Sequence, residues 1–375
     1  MINLDSLLAL LQAPAALTWQ MAVMILVGGL LIYLGVAKNY EPVLLIPIGF
    51  GAILTNLPLT GIAGPEGFLG ILYDAGVITE LFPLLIFIGV GAMTDFGPLL
   101  ENPKMALLGA AGQFGIFGTL MLALFLGFDL NESASIGIIG AIDGPTAIFV
   151  SAKLAPHLLG PIAVAAYSYM SLVPIIQPPV MRLLTTDAER KVRMPYTERK
   201  LSKATRVLFP IVVTIIVSLI APAASPLIAT LMFGNLLRES GVVQRLSDAA
   251  QNEIANVTTI FLGLAIGSTM TGGDFLKVDT LLILGVGLLA FVLDTAGGVL
   301  FGKLLYWLSN KQFNPLIGAA GISAFPMSAR IVQRVGQEYD FQNFLLMHAM
   351  GANTAGQLGS VIAGSVVLTI LLHLG

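Results

Sequence analysis

The chain has 375 residues, of which 56% are hydrophobic and only 10% charged, with a mean hydropathy of +0.91 and a formal net charge of −3. Soluble domains carry about 25% charged residues, so this composition excludes a soluble globular protein, and the charge balance offers no footing for nucleic acid. There is no cysteine, which excludes disulfides, thiolate chemistry and iron–sulfur clusters, and His157, His348 and His373 lie too far apart in sequence to suggest a histidine metal centre.

Apolar runs over residues 19–36, 105–127, 207–221, 257–270 and 280–302 recur without strand-type alternation. They predict an all-α polytopic membrane protein with about ten spans. Ahead of them, Met1–Pro14 is too short and lightly charged for a signal peptide. Its leucines predict a helix lying at the membrane interface. Asp95 and Lys104, beside Gly97-Pro98 and Asn102-Pro103, read as a capped helix end. Residues 134–150 then hold a single charge, Asp143, followed at once by Gly144 and Pro145. An ionisable side chain at membrane depth is costly and marks a functional site. The Gly-Pro pair predicts a helix break there, with freed carbonyls beside the carboxylate.

Tyr169 follows, either as a proton donor or as a hydroxyl bonded to a neighbouring helix. Eight of the 18 Lys and Arg residues fall between Arg182 and Arg206. That density places the loop on the cytoplasmic side. It also makes residues 183–206 the linker between two halves, 1–182 and 207–375. Glu253 reads as an N-terminal charge of an apolar helix. Asp294, beside Gly297-Gly298, reads either as a second ion or proton residue or as a partner of Lys303. Arg330 reads as a cation for a carboxylate or anionic ligand, or as an arginine snorkelling to the interface.

The two halves share a pattern. Ile86-Phe87-Ile88-Gly89 matches Ile260-Phe261-Leu262-Gly263, and residues 136–145 match 317–326 as I-G-x-x-G-x-x-x-x-P. Paired Gly/Pro-interrupted segments in corresponding places of two halves point to a transporter site built from broken or re-entrant hairpins. The expectation is an inverted repeat, residues 86–180 on 260–362, with Asp143, Asn314, Ser323 and Asn353 converging near the bilayer centre. These residues, with Thr354 and carbonyls near Gly144 and Gly351, offer oxygen ligands and one negative charge. A hard monovalent cation such as sodium suits that set, whereas a divalent ion wants more carboxylates. On the residues alone two readings stay open: a stand-alone sodium-coupled transporter, either a sodium–proton antiporter or a carboxylate carrier, and a non-catalytic scaffold.

At Met93-Thr94-Asp95-Phe96-Gly97-Pro98-Leu99, Asp143-Gly144-Pro145-Thr146, residues 314–323, Pro326-Met327-Ser328-Ala329-Arg330 and residues 350–356 the chain closely resembles the β subunit of the biotin-dependent sodium-translocating decarboxylases. The resemblance covers nearly the whole chain. It implies a subunit that decarboxylates carboxybiotin, consumes a proton and exports sodium, in an elevator-like arrangement within the cell's inner or plasma membrane. The implied partners are a carboxyltransferase, a biotin carrier that brings biotin from outside this chain, a small single-span membrane subunit and further copies of the chain. Asp143 takes the place of the family's essential aspartate, Tyr169 of its tyrosine, and Asn314, Gly318, Ser323, Arg330 and Asn353 of its other site residues. Of these, Asp143, Asn314, Ser323 and Asn353 would hold sodium, with Gly318 shaping the hairpin backbone. Arg330 would meet the biotin-borne carboxylate, and Tyr169 with Asp143 would relay the proton. Ala352 stands where the family motif often has proline.

Overall fold

The computed structural model describes residues 12, 14–38, 40–196 and 200–374. The predicted N-terminal interfacial helix falls outside them, apart from Gln12 and Pro14. Every regular element among the described residues is helical. Five helices are long and apolar enough to cross a membrane: Trp19–Lys38, Pro103–Phe125, Lys203–Ile220, Val278–Leu308 and Leu346–His373. A sixth span arises if Phe68–Ile78 and Leu81–Met93, bent by 62° at their junction, count as one. This is fewer than the ten expected. Prolines, glycines and polar breaks cut the other apolar runs into pieces such as Pro42–Thr55, 14 residues long, and Ala255–Ser268, also 14 residues.

Two large hydrophobic clusters organise the helices, beside a minor one of Ala134, Val367 and Leu371. The smaller of the two large clusters lies among α1 (Trp19–Lys38), α2 (Pro42–Thr55), α3 (Leu81–Met93) and α4 (Ala255–Ser268). With α5 (Lys203–Ile220) and α6 (Ser225–Ser240) these helices form a frame in which α1 packs on α2 and α5 on α6, while α2 packs on α4 and α6 on α3. Glycines set the last two contacts. A Cβ on Gly91 of α3 would lie 1.8 Å from Leu231 O and 3.0 Å from Asn235 N; one on Gly267 of α4 would lie 2.3 Å from Ile48 O and 2.7 Å from Ala52 N. Each glycine thus meets the carbonyl of one residue and the amide of the residue four further on. An asparagine closes each pair, Asn235 Nδ2 donating to Thr94 O at 2.9 Å and Asn56 Nδ2 to Met270 O at 2.7 Å.

The larger cluster holds two interrupted hairpins. Hairpin 1 runs from α7 (Leu130–Gly137) through a 3-10 turn, Ile138–Ala141, to α8 (Gly144–Leu154). Hairpin 2 runs from a 3-10 segment, Pro315–Gly321, to α9 (Met327–Tyr339). The matched stretches 136–145 and 317–326 are therefore the two hairpin breaks. Hairpin 1 leans on α10 (Phe114–Phe125) and hairpin 2 on α11 (Val278–Leu308); α10 and α11 also pack on each other. The last helix, α12 (Leu346–Leu374), touches both hairpins and the segment before α10.

Three local expectations are corrected. Gly144 and Pro145 do not end a helix; they open α8, with proline in its first turn, where its missing N–H costs nothing. The break lies two residues before Gly144, at Ile142, which takes the left-handed region with φ 56°. For a β-branched residue this is a strained conformation costing about 1–2 kcal/mol. Glu253 sits not at a helix start but in a π-helical turn, Ala250–Ile254, that leads straight into α4. Around Gly351, α12 continues unbroken, and the Thr354 hydroxyl is bonded to the Met350 and Gly351 carbonyls at 3.0 Å.

The segment after α13 (Val173–Leu184) is strapped to hairpin 2 through residues 190–193, and Arg182 near the end of α13 adds to the strap. Arg182 pairs with Glu338 at 2.5 Å, and Arg193 holds Asp340 with bonds of 2.5 and 3.0 Å. The Arg193 hydrogen bond keeps the Asp340 carboxyl below the usual aspartate range. Asn314 and Asn343 both donate to the carbonyls of Arg190 and Val192, at 2.8–3.1 Å. Arg190 is itself buried, bonded to Thr185 Oγ1 at 2.8 Å and stacked 4.6 Å from the Tyr339 ring.

Candidate functional site

Asp143 is the N-cap of α8. Its Oδ1 accepts from the Thr146 amide at 3.4 Å. Its Oδ2 accepts from Thr146 Oγ1 at 2.8 Å, Ser360 Oγ at 2.9 Å and Gln357 Nε2 at 3.3 Å. The carboxyl is buried, and among the described residues no lysine or arginine pairs with it. Hydroxyl and amide donors, together with the positive end of α8, do the work a counter-ion would otherwise do.

Gln357 and Ser360 lie on α12 with Asn353 and Gly356, at the i, i+3, i+4, i+7 spacing of one helix face. The same face meets the break of hairpin 2. Ser323 Oγ donates to Gly356 O at 3.0 Å, and Asn353 Nδ2 donates to Ile322 O at 2.6 Å. Gln113, in the turn before α10, reaches the same place, with Nε2 2.9 Å from Gly109 O and 3.4 Å from Gly356 O. Two buried oxygens here, Asn353 Oδ1 and Gln113 Oε1, have no hydrogen-bond partner. A buried oxygen without a donor is costly unless something electropositive sits against it.

The site that results is made of oxygens with one formal charge. Among the described residues no three His, Cys, Asp or Glu side chains cluster as a metal would need. Hydroxyls, amide oxygens and a single carboxylate are suited to a hard monovalent cation and poorly suited to a divalent or transition metal.

Of the residues singled out from the sequence, Asp143, Ser323 and Asn353 therefore come to one face of α12. Asn314 does not join them. Its amide is spent on the strap, and its Oδ1 caps the 3-10 segment by accepting from Leu316 N at 3.0 Å. Gly318 brings hairpin 2 against α11: a Cβ on it would lie 1.9 Å from Gly298 O. Tyr169 is turned toward α11, where its hydroxyl donates to Leu284 O. The tyrosine beside Asp143 is Tyr167, whose ring lies on Gly144, 2.2 Å from where a Cβ would stand, and whose buried hydroxyl has no partner. Arg330 is exposed on α9, and so is Arg334 one turn later; neither forms a salt bridge among the described residues. Gln113, Tyr167, Gln357 and Ser360 were not among the site residues chosen from the sequence, although the last three lie in polar stretches it offered. The i+4 and i+7 positions after Asn353 were the available signal for the last two.

The chain is similar to proteins of known function. Residues 20–371 match the family described as the Na+-transporting oxaloacetate decarboxylase beta subunit. The chain is 54% identical to the methylmalonyl-CoA decarboxylase subunit beta of Propionigenium modestum, over 93% of this chain and 94% of that one. It is equally 54% identical to the glutaconyl-CoA decarboxylase subunit beta of Acidaminococcus fermentans, over 95% and 94%. To the oxaloacetate decarboxylase beta chain of Klebsiella pneumoniae it is 48% identical, over 94% and 95%. The chain is a multi-pass membrane protein that belongs to the family of Na+-transporting decarboxylase beta subunits.

Proposed function

We propose that this chain removes CO2 from carboxybiotin and couples that reaction to the export of sodium. The observation that carries the reading is the single-charge, all-oxygen cluster where the breaks of both hairpins meet one face of α12. Sodium is the cargo. It would lie against the Asp143 carboxylate, with Ser323, Ser360, Thr146 and the orphaned amide oxygens of Asn353 and Gln113 as the nearby oxygen donors. Asn314 and Gly318 would act one step back, by fixing the shape of hairpin 2. Neutralising Asp143 with a cation lowers the cost of carrying the buried site past the frame.

Carboxybiotin brings an N–CO2 bond whose cleavage leaves an electron pair on the ureido nitrogen, and that nitrogen takes up one proton. Arg330, exposed and without a carboxylate partner among the described residues, suits the incoming carboxylate. Tyr169 and Asp143 supply the hydroxyl and carboxyl of a proton route, with Tyr167 nearer to Asp143. Biotin would come on a carrier subunit, loaded by a carboxyltransferase, and a small single-span subunit and further copies of this chain would complete the assembly. The 183–206 segment, rich in arginine and lysine, would face the cytoplasm from the inner or plasma membrane.

Two inverted repeats, 1–182 and 207–375, and an elevator movement of the hairpin group against the frame are part of the proposal. The paired α2–α4 and α6–α3 contacts, each with its glycine and its asparagine, support the repeat. The test is decarboxylation of free carboxybiotin by the reconstituted chain with and without sodium, together with sodium movement into sealed vesicles. Sodium-stimulated CO2 release with sodium transport is the expected result. Sodium–proton exchange without any response to carboxybiotin would replace this reading with an antiporter.

A further inference from the structure

A second buried carboxyl stands apart from the sodium cluster. Asp294 lies near the middle of α11 and is 0% exposed. Its Oδ1 has one donor, the Gly115 amide at 3.4 Å, and its Oδ2 has no hydrogen-bond partner. Lys303, the cation the sequence offered as its partner, is engaged elsewhere: its ammonium donates to Leu184 O at 3.1 Å and sits 3.4 Å from Glu189.

Among the described residues no other charge faces Asp294. On α11 the remaining ionisable groups, Asp279, Lys303 and Tyr306, lie toward the ends. Between Lys104 and Asp129, which includes α10, there is none. Glu132 at the start of α7 is taken by the Asp129 amide and His157. Asp143 beyond the hairpin 1 turn faces α12. Residues 314–321 of hairpin 2 carry none. In the helix before α13, Tyr169 is spent on Leu284 O; on α13, Arg182 is paired with Glu338. A carboxylate anion in this setting would be uncompensated.

The residue also makes little structural sense as an aspartate. An asparagine would accept equally well from Gly115 and would add two donors. Thr119 and Thr295, on the two helices that cross here, likewise hold hydroxyls without partners. The position itself is distinctive. Two turns before Asp294, Gly287 packs on Tyr169 and on Ile139 of hairpin 1; one turn after it, Gly298 packs on Gly318 of hairpin 2.

We propose that Asp294 is a proton site separate from the sodium cluster: it is a neutral carboxylic acid in the conformation seen here, and it gives up and regains one proton during the transport cycle. The first half stands on geometry alone. The second rests on the proposed decarboxylation, which consumes one proton for each CO2 released.

Two measurements test it on the intact subunit. Infrared spectroscopy of the resting protein in lipid should show the carbonyl band of a neutral carboxylic acid at neutral pH, shifted in D2O. The band should disappear in Asp294→Asn and persist in Asp143→Asn. If Asp294→Asn leaves the spectrum unchanged, the carboxyl is ionised and the proposal fails. Should the asparagine variant not fold, Asp294→Glu must keep the band at a shifted frequency; its loss would also overturn the idea. In the assembled complex, Asp294→Asn should slow sodium-dependent CO2 release about 100-fold and flatten its pH profile. A wild-type rate and pH profile would reduce Asp294 to packing. Failure of the decarboxylase reading itself would appear as wild-type protein inert toward carboxybiotin, with the infrared result unaffected.

Discussion

The two hairpins are built to one plan and armed differently. Each has a 3-10 stretch before its break and a proline at the start of its second arm, Pro145 in hairpin 1 and Pro326 in hairpin 2. Each leans on one long helix through glycine, Gly140 on Gly115 and Gly318 on Gly298. Yet hairpin 1 brings a carboxylate to α12, and hairpin 2 brings a hydroxyl and a backbone carbonyl. Hairpin 1 turns through a left-handed Ile142 just before its charge, whereas hairpin 2 is tied to the basic strap through Asn314. One hairpin thus supplies the charge, and the other supplies the neutral oxygens and the link to the surface.

Removing the charge should break that asymmetry most. Asp143→Asn keeps the shape and one accepting oxygen for the cap, so the protein should still fold, although its NH2 cannot accept the bonds that Oδ2 takes from Thr146, Ser360 and Gln357. Sodium-dependent turnover should fall by more than about 100-fold, because the amide cannot balance a cation or take a proton. Turnover titrated against sodium checks it, and wild-type sodium dependence would assign Asp143 to structure. Next in size is the close approach of hairpin 2. Gly318→Ala places a methyl 1.9 Å from Gly298 O. Overpacking of this kind costs about 1–3 kcal/mol, read as a lower melting temperature. Gly29→Ala, where nothing lies within 4 Å, should leave stability unchanged.

A finer division concerns the two ends of the α12 face. Ser360→Ala removes one hydrogen bond to Asp143, and Asn353→Ala removes the orphaned oxygen together with the bond to Ile322. One hydrogen bond is worth about 0.5–1.5 kcal/mol, so each change should raise the sodium concentration at half-maximal rate up to about tenfold. A shift in only one variant would confine the cation to one hairpin. The smallest effect belongs to the strap. Asp340 titrates below its ordinary range because Arg193 holds it. Its contribution is therefore complete above the unfolded value of 3.8 and is lost as pH falls through the lower folded value. Hydrogen-exchange protection over residues 190–196, taken relative to the intrinsic exchange rate, should stay constant through neutral pH and fall only in acid. Arg193→Ala should lower that protection at neutral pH as well.

Much of this was legible in the sequence, for physical reasons that can be named. The apolar runs at 19–36, 105–127 and 280–302 became helices within a few residues, because in lipid the backbone has few other options. Asp143 stood out because isolated charges in such runs are rare. The hairpin breaks were placed by matching glycines and prolines. Positions whose partners are distant in sequence were opaque. Nothing near Asn314 indicates that its amide would be spent on Arg190 and Val192, more than 120 residues earlier. Tyr167 and Tyr169 differ by two positions on a helix and so face different neighbours, a distinction composition cannot make. Glu253 misled because a π-helical turn continues a helix where a new start was expected.

The glycine contacts of the frame bear on how such a protein assembles. Lipid tails offer helices no hydrophobic reward for meeting, so association relies on dispersion at short range. Where Gly91 meets Leu231 O and Gly267 meets Ile48 O, backbone faces backbone. Such surfaces have no rotamers to freeze, and docking them forfeits little side-chain entropy. They also have one register in which they fit, and the hairpins meet their long helices by the same backbone-to-backbone approach at Gly140 and Gly318.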